Sequence, residues 1–171
     1  MDWKRYTKEE RGAKMEKHRI NEVPSLNLGV CEEMINAAAE QLGVAFPEQL
    51  KEIWKISNGL ELPGSWLFYP IFDNSNPRKT SNHIVYENTK ARWDYINDNL
   101  ISIAAGDTGN HLVLQKTSSG LLSADVYIWN HETNKIKKWS KSLDFIKEKA
   151  HKRIDNIKSQ IQRAAKRKAG S

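Results

Sequence analysis

The chain has 171 residues, 39% hydrophobic and 28% charged, with six Trp, five Tyr and four Phe. That length suits one domain with extensions. No apolar run approaches the roughly 20 residues that span a bilayer, and the charged N-terminus lacks a signal peptide's apolar stretch. The net charge of +6 divides into +2 over residues 1–24, −5 over 25–136 and +9 over 137–171, so an acidic body carries a basic C-terminal segment; charge of this kind bears on partners rather than on fold.

In chain order, Thr7-Lys8-Glu9-Glu10 has the form of a capping box opening a short helix, and Pro24 separates that helix from the next element. From about Val30 to Leu42 an amphipathic helix is predicted, with Val30, Met34, Ala38 and Leu42 on one face. Cys31, the single cysteine, excludes an intrachain disulfide and a cysteine-rich zinc site and suggests a reducing cytoplasm. It is expected to be a small buried hydrophobe rather than a nucleophile. Gly43 suits a left-handed helix stop and Pro47 the first turn of a second helix. Leu50, Ile53, Trp54 and Ser57 recur there at helical spacing before Asn58-Gly59 ends it.

Beyond Gly64 the pattern becomes that of strands. Trp66–Tyr69 and Ile71-Phe72 flank Pro70, which predicts an edge strand or a bend. Residues 73–82 form a polar loop, 83–86 a candidate strand, and 90–99 a candidate short helix carrying Trp93 and Ile96. Strands are predicted at 100–104, 111–115, 125–129 and 135–139, with the turn-forming set Gly106–Asn110 joining the first two. Ser142 is placed to cap a last helix, with Asp144 in its first turn and Ile146, Ala150, Ile154, Ile157 and Ile161 spaced by three or four. Helices, then strands, then a helix predict an α+β single domain. It has a mostly antiparallel sheet, N-terminal helices and a C-terminal helix packed on it.

The stretch LGVAFPEQLKEIWKISNG (Leu42 to Gly59) resembles the opening of the SUKH superfamily domain. Three later segments are similar to that family in the same order: Asn99 to Leu114, which includes AGDTGNHLVL; VYIWNHET from Val126 to Thr133; and SKSLDFI from Ser140 to Ile146. The family includes Smi/Knr-type cell-wall regulators of fungi and many bacterial toxin-immunity proteins. The resemblance implies a non-enzymatic protein-binding domain over about 25–150, preceded by a helical extension at 1–24 and followed by a basic helical tail at 151–171.

No G-x-x-x-x-G-K-[ST], H-E-x-x-H or G-x-S-x-G pattern occurs. Gly106–Asn110 holds one carboxylate and is expected to be a hairpin turn rather than a metal loop. His83, His111 and His131 are expected as ordinary polar surface, and Asp94 and Asp98 as a solvated helix face. Trp54 is assigned to the core, while Trp66 and Trp129, at the ends of strand patterns, are read either as core or as a half-exposed recognition surface.

No enzyme, cofactor or metal is predicted. The leading expectation is an immunity protein that neutralises a cognate, possibly nuclease, toxin by direct binding, with Trp66, Asp107, Asn110, Trp129 and His131 as candidate contacts. A regulatory or scaffold role is one alternative. Nucleic-acid binding through Lys152, Arg153, Arg163, Lys166, Arg167 and Lys168 is the other.

Overall fold

The computed structural model describes residues 28–170; the expected capping box at Thr7–Glu10, Pro24 and the 1–24 extension lie outside them. Helix α1 (Glu32–Leu42) ends at Gly43, whose φ of 66° is the left-handed stop that a residue without Cβ adopts at no steric cost. Its buried residues are Ile35, Ala38 and Ala39, so the inward stripe is centred one position beyond the predicted Met34. Cys31 is the N-cap and is exposed, which corrects the expectation of a buried thiol: it precedes the helical turn from which the inward stripe begins.

Pro47 is the N-cap of α2 (Glu48–Ile56), and Leu50, Ile53 and Trp54 are fully buried. Ala45, between the two helices, accepts from Leu122 N and donates to Gly120 O, which pins the helix hairpin to a loop of the sheet. Trp54 joins the helix layer to the sheet. Its ring packs against Phe46 and Phe68, with centroids at 4.9 and 5.9 Å, and its Nε1 donates to Tyr69 O at 2.9 Å.

Six strands form one antiparallel sheet in the order of the sequence: β1 (Leu60–Leu62), β2 (Trp66–Phe68), β3 (Leu100–Gly106), β4 (His111–Gln115), β5 (Tyr127–Trp129) and β6 (Ile136–Lys138). β1 was not foreseen, because three residues are too few to show a period. β2 is an inner strand between β1 and β3, not an edge, and it ends at Phe68, two residues before Pro70. The edge strand β6 is exposed throughout, and its Lys137 and Lys138 suit an edge that must not pair with another chain. A register shift between Ser102 and Ala104 lets Ile101, Ile103 and Ala104 all join the core under the helices. On the other face, Leu100, Val113 and Trp129 pack with Ile96 in a second, smaller core.

After Pro70 the chain leaves β3, yet the backbone there must stay paired once buried. Asparagine carboxamides do this at two places. Asn58 accepts from Ile71 N at 2.7 Å and donates to Ile71 O at 2.9 Å. Asn88 accepts from Ser102 N and donates to Ser102 O, both at 2.8 Å. Arg92 extends the line by donating to Leu100 O at 3.0 Å and to Asn97 O at 2.7 Å.

Two predicted elements are corrected here. The 83–86 strand is instead the helix α3 (Ile84–Asn88), started by His83, whose Nδ1 accepts from Tyr86 N. The 90–99 helix is a series of turns, because Thr89 Oγ1 and Asn88 Nδ2 take the carbonyls of Val85 and Ile84 and end the helical run, while Arg92 folds the following loop back on itself. Asp94 and Asp98 therefore share no helix face, though both are exposed.

Helix α4 (Leu143–Ala169) has Ser142 as N-cap, without the side-chain cap bond that was expected. It packs on α2 and β1 through Leu143, Ile146 and Ala150. Lys147 pairs with Glu52 at 2.6 Å and Arg153 donates to Ser57 Oγ at 3.0 Å. Replacing Asn88 with Ala should destabilise the fold by about 2–4 kcal/mol, since it leaves the buried Ser102 N–H and C=O without partners. Urea unfolding of the variant against the parent measures this.

Candidate functional site

Antiparallel pairing brings one end of the sheet together from distant sequence. Trp66 pairs with Gly106, and His111 with Trp129. The start of β2, the 106–110 turn and the turn after β5 therefore lie side by side. All five candidate contacts gather at this end. Trp66 is half-buried, its ring lying over Gly106 so closely that a Cβ there would meet it at 3.0 Å. Asp107 is exposed at the turn tip. Gly109 holds φ at 91°, and a Cβ there would come within 3.2 Å of the His131 ring.

Asn110 and His131 form a unit. Asn110 Oδ1 lies 3.2 Å from His131 N and 2.8 Å from His131 Nδ1. Because a backbone N–H can only donate, that Asn110 atom is the carbonyl oxygen, and His131 Nδ1 must carry a proton to share it.

Trp129 departs from the expectation. It is fully buried, donates Nε1 to Asn134 Oδ1 at 2.7 Å, and cannot offer a half-exposed face. Its strand alternation turns it toward the smaller core, where the loop after α3 closes over it. Trp93 of that loop takes the exposed position instead, at 40% exposure. It packs edge-on against His131 at 5.5 Å and against His111 and Trp129 at 5.9 Å. No local signal could have found this, since Trp93 meets its neighbours only through the fold.

His111 also differs from the polar-surface reading: it is buried, and its Nδ1 lies 2.7 Å from Ser102 Oγ and 3.3 Å from Tyr69 Oη. Burial pushes the imidazole down to about 4, with the nearby His131 and Arg92 opposing its charge further. Burial also raises the Tyr69 phenol, which stays protonated and available as a donor. His83 is half-buried and is likewise lowered by burial.

The tail residues divide. Lys152 pairs with Glu148 at 3.3 Å, and Arg153, half-buried, is held on Ser57. Arg163, Lys166, Arg167 and Lys168 are exposed. Among the described residues no group of three or more His, Cys, Asp and Glu side chains could hold a metal ion. No helix among them is long and apolar enough to cross a membrane.

A six-stranded meander backed by an N-terminal helix pair and a C-terminal helix, with helix caps at Gly43 and Pro47 and the Asn58-Gly59 stop, defines a domain of the SUKH type. The match to the SMI1 / KNR4 family (SUKH-1) covers residues 29–148, and the chain belongs to that family. No curated protein matches the chain.

The buried His111 gives stability a definite pH dependence. Its folded-state value of about 4 lies below the ordinary 6.5, so the unfolded chain takes up the proton first on acidification. The contribution is complete above about pH 6.5 and is lost as pH falls toward 4. It amounts to about 3 kcal/mol at most, and His83 acts in the same direction. Urea unfolding between pH 7 and 4.5 should show falling stability, with a shallower slope for His111→Gln.

Proposed function

We propose that the protein is a non-enzymatic binding domain that acts as an immunity protein, neutralising a cognate toxin by direct contact. Membership of the SMI1 / KNR4 family carries this reading, since the family fits immunity or regulatory roles. Two features of the chain support it.

The first is charge. Residues 25–136 carry −5, and a negative inhibitor surface is attracted to the positive groove in which a nuclease holds its substrate. The second is the sheet end. Trp66, Trp93, Asp107, Asn110 and His131 combine aromatic area with fixed polar groups on a rigid frame, the composition from which interface hot spots are built. Trp129 contributes from beneath by supporting Trp93.

Catalysis has no part in this mechanism. The inhibitor needs only to occupy the toxin's active surface, and the rigid turns at 106–110 and 130–135 limit the conformational entropy lost on docking. A regulatory role would use the same surface on a resident cellular protein.

The test is co-expression of the full chain with toxin domains encoded beside its gene. A 1:1 complex and restored growth are expected. Asp107→Lys should weaken that complex about 10-fold at unchanged melting temperature, and His131→Ala should also weaken it about 10-fold. Failure to bind any neighbouring toxin would remove the immunity reading, and capture of a resident protein through the same residues would select the regulatory one.

A further inference from the structure

Helix α4 does not end where the domain does. Its last buried residue is Ala150, and its last hydrogen bond to another element among the described residues is Arg153 to Ser57. From Ile154 to Ala169 the helix continues without a break, for about 24 Å at 1.5 Å per residue. Over residues 151–170 the chain has seven Lys/Arg against a single Asp. The cations nearer the domain are engaged: Lys147 with Glu52, Lys149 over the Phe145 ring, Lys152 with Glu148, and Arg153 with Ser57. Lys168 has an interaction of its own. Lys158, Arg163, Lys166 and Arg167 are exposed and make no ion pair among the described residues.

We propose that Arg163, Lys166 and Arg167 form a nucleic-acid binding surface that grips phosphates without reading bases. Spaced by three and four, they share a helix face, whereas Lys158, five residues before Arg163, lies about 140° around the helix, beside the Ile side. Ile154, Ile157 and Ile161 lie on the opposite side and are half-buried. The exposed part of this helix thus offers charge and no bulky apolar row, which fits a polyanion in water better than insertion into a lipid surface. A second copy would bring three like charges against three. A phosphate backbone supplies the complementary charge at a repeat short enough to meet all three along one helix face. The acidic body confines the contact to α4. This activity is separate from toxin binding at the sheet end, so either can fail without the other.

The experiment titrates the full chain against fluorescein-labelled 20-nucleotide single-stranded and duplex DNA of unrelated sequences. Both should bind. With three phosphates neutralised, the slope of log K against log salt for duplex is about −2.7, a loss of about 40-fold between 50 and 200 mM. The variant carrying Arg163→Gln, Lys166→Gln and Arg167→Gln should keep its circular dichroism and lose at least about 10-fold in affinity, with the slope near zero. Unchanged binding by that variant would overturn the proposal. So would no binding to either DNA, or equal or tighter binding to polyglutamate or to phosphatidylserine vesicles.

Discussion

The structure depends on how the chain is allowed to leave its own sheet. At Pro70 the backbone turns away from β3, and the bend strands polar groups in the interior. A buried N–H or C=O without a partner costs as much as the fold can spare from a few residues of core. Asn58 and Asn88 remove that cost by presenting a carboxamide, which has the donor and acceptor geometry of a peptide group, to Ile71 and to Ser102. With those contacts in place, residues 72–99 can cross to the second face of the sheet and close the small core around Trp129.

The sheet end follows from that closure. Because the loop after α3 is held by Arg92 on the carbonyls of Asn97 and Leu100, Trp93 is delivered onto His111, Trp129 and His131. His111 is then buried beside two hydroxyls, and His131 is held by Asn110 through Nδ1 and its backbone N–H. The basic half of α4 obeys different physics: it lies beyond the packed core, and its character comes from charge on a helix rather than from burial.

Much of the fold was legible locally. Gly43 and Pro47 mark a stop and a start because left-handed φ and a missing N–H are requirements of single residues, whereas α2 ends at Ile56 with Ser57 as an extended cap, before Asn58-Gly59. The strands at 111–115 and 100–104 showed themselves as apolar runs around a glycine turn, the latter extending to Gly106 in the fold. The stretch from 83 to 99 did not, because its structure is set by side chains bonding to distant backbone, such as Asn88 to Ser102. In the candidate site, Trp66, Asp107, Asn110 and His131 were identifiable as turn and strand-end residues. The burial of Trp129 and the prominence of Trp93 were not.

The sequence by itself determined the end of α1 and the start of α2, the strand-rich middle, the split between an acidic body and a basic end, and the family, since all of these rest on short-range spacing and composition. Only the tertiary structure decided which histidine is neutral and buried, which tryptophan faces solvent, and which lysines and arginines of α4 are already engaged. Those properties belong to the environment a side chain meets, and that environment is supplied by residues tens of positions away.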